Sequence, residues 1–64
     1  MKYAVSQADK ALIEQLRHAF GGIGHCEIFL GWKKHKIKEL RQGRNKIMPH
    51  HRAHFRAALE SRNT

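Results

Sequence analysis

LGWKKHKIKELRQG, residues 30–43, is the stretch on which the reading of the whole chain turns. Glycines stand near both ends, at Gly31 and Gly43, and between Trp32 and Gly43 the only apolar residues are Ile37 and Leu40. Their spacing, i and i+3, predicts a helix over about residues 33–42 that buries one narrow stripe and turns every other side chain outward. Gly43 is suited to the left-handed conformation that ends such a helix. Beyond it, residues 44–48 read as a polar connection with Ile47 as an anchor.

Working outward, apolar residues recur at helical spacing on both sides. Ile23, Cys26, Phe29 and Leu30 predict a short helix over about residues 24–30. Leu12, Ile13, Leu16, Ala19 and Phe20 predict a longer one over about residues 7–20, opened by Ser6 with Asp9 three residues on, a capping box with Asp in place of Glu. Pro49 suits the first turn of a last helix, about residues 49–61, with His51, Phe55, Ala58 and Leu59 along one face. Residues 1–5 read as a short strand or an arm. The expected fold is all-α: a small four-helix domain spanning residues 1–64. A chain of this length buries only about 60% of the surface its unfolded form exposes, so its core is small.

Charge is the dominant compositional feature. Thirteen Lys and Arg face five Asp and Glu, for a net charge of +8. Lys33, Lys34, Lys36, Lys38, Arg41, Arg44 and Lys46 are concentrated in one stretch, opposed there by Glu39 alone. A closely charged polyanion repays such a patch by counterion release. An anionic membrane surface would do so through an amphipathic helix with a broad apolar face, which this stretch lacks. With a single cysteine, Cys26, no internal disulfide forms, and no ordered Cys/His spacing marks a zinc site. No apolar run reaches the length of a signal peptide or a membrane span. The expected setting is cytoplasmic and nucleoid-associated, with no membrane partner.

Two short helices joined at Leu30-Gly31, the second carrying Ile37 and Leu40 inward, form the arrangement by which one helix crosses another and protrudes. Here the sequence resembles the Cro and C1-type phage repressor family. The resemblance runs from Ile23 to Leu59, through LGWKKHKIKELRQG, a basic loop and IMPHHRAHFRAAL. It matches Gly31 to the family's turn glycine, Trp32 to the apolar position after it, Ile37 and Leu40 to the inward residues of the recognition helix, and Gly43 to its terminal glycine. Two positions depart from the pattern. Where the family has alanine, four residues before the turn glycine, stands Glu27, whose carboxylate is expected to tilt outward or pair with a lysine, so that Glu27→Ala should be neutral or stabilising. Where a glutamine often opens the first motif helix stands Ile23.

The resemblance implies a helix-turn-helix that binds double-stranded DNA as a homodimer and regulates transcription, with no catalysis and no cofactor. It places Lys34 and His35, in the first turn of the recognition helix, toward the major groove, with Lys38, Glu39 and Gln42 following as base-reading candidates. Lys33, Lys36, Arg41, Arg44 and Lys46 flank that face as phosphate contacts. Trp32 reads as a core wedge rather than a stacking platform. His50 and His54, four apart, with His51 and His25, could ligate a metal, but amphipathic solubility explains them more simply, and no metal is expected. Cys26 reads as a small buried apolar residue. Two other functions fit the same basic face: a small interaction protein that inhibits a host protein through it, and a sequence-tolerant RNA binder.

Overall fold

The computed structural model describes residues 2–63, the side chain of Asn63 excepted. Among them four helices follow in order: α1 (Gln7–Phe20), α2 (Ile23–Leu30), α3 (Lys36–Arg41) and α4 (Pro49–Asn63). The fold is all-α, as the periodicity predicts. Residues 2–6 form no strand, although Tyr3 N–H donates to the Gly43 carbonyl at 2.7 Å and so fastens the arm to the end of α3. Met1 lies outside the described residues.

Each helix starts and stops for a local reason. Ser6 Oγ accepts from the Asp9 N–H at 3.1 Å, which caps α1. The Asp9 carboxylate instead crosses to α4, where Arg52 Nε and Nη2 donate to it at 2.9 and 3.1 Å. Gly31 ends α2 at φ 71°, with the Trp32 N–H returning to the Glu27 carbonyl at 2.9 Å. Gly43, at φ 79°, ends α3 in the same way, with its own N–H on Leu40 O and the Arg44 N–H on Glu39 O. At α4 the Met48 N–H donates to His51 Nδ1 at 2.9 Å, so the imidazole reaches back over the first turn as a capping-box glutamate would.

α1 packs against all three other helices, and α2 also touches α3 and α4. The core between them is Ile13, Leu16, Phe20, Cys26, Ile37, Leu40, Ile47, Phe55 and Ala58. Ile37 and Leu40 are fully buried, and Ile47 is the anchor of the loop. Trp32 packs half-buried against this core with its ring 5.6 Å from that of Phe55.

Two expectations fail here. Phe29 is not a core residue: it is 52% exposed, its ring 5.2 Å from Phe20, and Ile28 beside it is 80% exposed. The buried side of α2 is narrow and centres on Cys26 and Glu27. Helix three is also shorter than residues 33–42, because His35 adopts φ 69° and the Lys36 N–H closes a turn onto the Lys33 carbonyl at 3.1 Å. Lys33, Lys34 and His35 therefore precede the helix.

Candidate nucleic-acid interface

The start of α3 is fixed from a neighbouring helix. No Ser, Thr, Asp or Asn stands at residues 33–35 to cap it. Glu27 of α2 supplies the acceptor instead: its Oε2 takes the Ile37 N–H at 2.8 Å and its Oε1 the His35 N–H at 3.2 Å. Glu27 is 4% exposed, so the expectation of an outward or lysine-paired carboxylate is wrong. A buried carboxylate is tolerable here because backbone donors satisfy it and the positive end of a helix faces it. The position where the resembling family has alanine is thus used for capping.

Anchored this way, α3 presents a different surface on each side. On one, Lys34, His35, Lys38, Arg41 and Gln42 line a groove of about 610 Å³, whose opposite wall is Lys10 and Glu14 of α1 with Ile23 and Gly24 of α2. Four of the five base-reading candidates are therefore together, although Lys34 and His35 reach the groove from the turn and not from a first helical turn. The fifth, Glu39, is half-buried and does not line it. Lys36 and Lys33 lie elsewhere, in a cleft with Trp32, His50, His51 and His54. Arg44 and Lys46 are exposed on the loop beyond α3.

The acids are placed so as to leave most of this field uncompensated. Asp9 is held by Arg52, which keeps its carboxyl below the usual aspartate range. Glu14 pairs with Arg17 at 2.9 Å and with Arg41 at 3.4 Å, and the Arg17 hydrogen bond first, then nearby cations, lower its pKa. Arg41 is thus partly engaged, the least free of the phosphate candidates, though the pair is exposed and screened by water. Burial, followed by the charge of Glu27, pushes the Cys26 thiol up to about 11, which removes it as a nucleophile near neutral pH.

Lys10 and Glu14 are groove residues that the sequence reading missed. Nothing local to α1 reveals that this face meets α3. The Glu27 cap did leave a trace: a helix start without its own capping residue requires an acceptor from elsewhere, and Glu27 is the acid nearest to it on the preceding helix. Among the described residues no group of three His, Cys, Asp or Glu side chains is placed to hold a metal ion, and no helix is long and apolar enough to cross a membrane. Compared with family models, curated proteins and solved structures, the chain matches none.

Proposed function

We propose that this chain is a DNA-binding transcriptional regulator of the Cro-like helix-turn-helix kind, with α2, the turn at Gly31 and α3 as the motif, acting in the cytoplasm on nucleoid DNA. The observation that carries this reading is the convergence of Lys34, His35, Lys38 and Gln42 on one groove along α3, with Lys10 joining from α1. Amide and ammonium donors at that edge suit the O6 and N7 acceptors of guanine and the N6/N7 edge of adenine. Lys33, Lys36, Arg44 and Lys46 supply phosphate contacts around it, which add affinity without sequence choice. The reading includes no cofactor and no catalysis.

A helix of six residues spans few base pairs, so two copies reading two half-sites are part of the proposal. Two chains of charge +8 repel one another unless they meet where neither carries formal charge. The exposed face of α2, with His25, Ile28 and Phe29, meets that condition, and its large exposed apolar side chains gain from being covered.

Selection of sites from random duplexes, followed by binding to the winner and to a scrambled duplex across a salt series, tests the function. Lys38→Ala should lower affinity for the winner by about 1–3 kcal/mol and relax preference at one base pair. Lys36→Ala should weaken both duplexes alike and reduce the salt slope by about one unit. Both substitutions remove one positive charge, so diffuse attraction predicts equal losses, and that result would sink the assignment of α3 as the recognition helix. Equal binding to RNA and to any duplex would favour the sequence-tolerant binder, and a stoichiometric protein partner the inhibitor.

A further inference from the structure

The second cleft, on the other side of α3 from the groove, carries an unassigned chemistry. It encloses about 480 Å³ and is lined by Trp32 and Lys33 from the turn, Lys36 from α3, and His50, His51 and His54 from the first turns of α4. No carboxylate lines it. His51 is 8% exposed, and its Nδ1 is occupied by the Met48 N–H, so the neutral ring carries its proton on Nε2. Among the described residues nothing accepts a hydrogen bond from that Nε2, while the ring lines the cleft. The Trp32 ring stands edge-on to His51 and His54, with centroids 5.7 and 5.9 Å away, and forms an apolar wall beside them.

We propose that this cleft binds a phosphate group, with Lys33 and Lys36 supplying charge and the His50, His51 and His54 imidazoles supplying N–H donors. The cleft offers hydrogen-bond donors and cations with no competing acid, the complement of a tetrahedral oxyanion. His51 acts as a neutral donor held in one orientation by Met48, since burial and then the nearby His50, Lys36, His54 and Arg52 disfavour its charged form. His50 and His54 are exposed and line the cleft beside Lys33 from the turn and Lys36 from α3. The site rests on the nucleic-acid reading only in naming the phosphate's source: a backbone phosphate flanking the bases in the groove, or otherwise a free or terminal phosphate.

The test is a histidine-resolved NMR titration of the intact chain with inorganic phosphate, against chloride at equal ionic strength. The ring resonances of His50, His51 and His54 should move saturably, while those of His18 on α1 and His25 on α2 follow the chloride series. The double variant Lys33→Gln/Lys36→Gln should lose the saturable response with its ring spectrum otherwise native, which separates loss of the site from loss of the fold. Ring shifts no larger than those of His18 and His25, or a double variant that responds like the parent, would overturn the proposal. A second arm adds duplex and 5′-phosphorylated single strand. If a backbone phosphate occupies the cleft, the duplex moves the same rings and inorganic phosphate competes. If a terminal phosphate does, only the phosphorylated strand moves them. Duplex binding that leaves the rings unmoved would remove the cleft from the interface and leave the groove reading intact, whereas a phosphate response without duplex binding would keep the cleft and sink that reading.

Discussion

Replacing Glu27 with alanine tests the most consequential hydrogen bonds in the molecule. The carboxylate takes two backbone N–H groups at the start of α3, one of them, from Ile37, buried. Without it the Ile37 donor has no acceptor within the protein, a loss of about 1–3 kcal/mol, while the half-buried His35 donor is partly rescued by water. Alanine returns about 0.5 kcal/mol in helix propensity and removes the cost of burying a carboxylate, so the net destabilisation should be about 1–2 kcal/mol. A chain of this length has a total stability of roughly 3–10 kcal/mol, and each kcal/mol moves the thermal midpoint by about 4–8 °C. Glu27→Ala should therefore melt about 10 °C lower by circular dichroism. Glu27→Gln, whose amide has one acceptor for two donors, should fall between alanine and the parent. Hydrogen exchange at the Ile37 amide should accelerate in the alanine variant more than at Leu16, which lies in the middle of α1. A Glu27→Ala melt within about 2 °C of the parent would refute the capping argument. It would also restore the expectation, drawn from the alanine of the resembling family, that this side chain is dispensable.

Gly43→Val should cost about 2 kcal/mol or more in denaturant titrations, because φ is 79° there and a Cβ would collide with the Tyr3 carbonyl; deleting residues 1–4 should recover part of that loss by removing the collision. Stability should fall as pH drops below about 6.5, since a histidine whose folded pKa is depressed, as that of His51 is, contributes stability present above its unfolded value and lost on acidification through its folded one. In urea titrations across that range His51→Gln, which keeps an acceptor for the Met48 N–H but does not titrate, should flatten the acid limb, and an unchanged limb would exclude the His51 cap as its source. Cys26, fully buried with its thiol raised to about 11, should resist alkylation by iodoacetamide at pH 8 until denaturant is added; rapid modification of the folded chain would mean that α2 opens readily.

The elements whose signals are local were legible in the sequence. Ser6, Gly31, Gly43 and Pro49 act on the backbone beside them, and the boundaries they set agree with the structure. What periodicity alone could not supply is which arc of a short helix turns inward. On α2 the pattern Ile23, Cys26, Phe29, Leu30 appears helical and apolar throughout, yet the helix buries Cys26 and Glu27 and leaves Phe29 on its rim. An eight-residue helix completes only about two turns, too few for a pattern to fix its orientation against the demands of its neighbours. Here the neighbour's demand is the uncapped start of α3, and burying the Glu27 carboxylate against it outweighs burying a phenyl ring.

The same demand explains why the candidate interface does not depend on residues 33–35 being helical. Residues 33–35 form a turn closed by the Lys36 N–H on Lys33 and by the left-handed His35, not the first turn of a helix. Lys34 and Lys38 nonetheless line one groove, and Lys33 and Lys36 one cleft. Two constraints produce this. Ile37 and Leu40 fix the rotation of α3 about its axis by burying one stripe, and Glu27 fixes where the chain enters by taking the N–H groups of His35 and Ile37. Between them they leave the side chains of residues 33–35 little freedom to leave the sides that α3 defines. The partition of cations into two sides is thus set by three buried residues, none of which contributes a cation to either. Loosening any of the three should blur the distinction between Lys38 and Lys36 before it weakens attraction to a polyanion. On this argument Glu27→Ala, measured on the selected and scrambled duplexes below its melting range, should lower the ratio of the two affinities while changing the salt slope little.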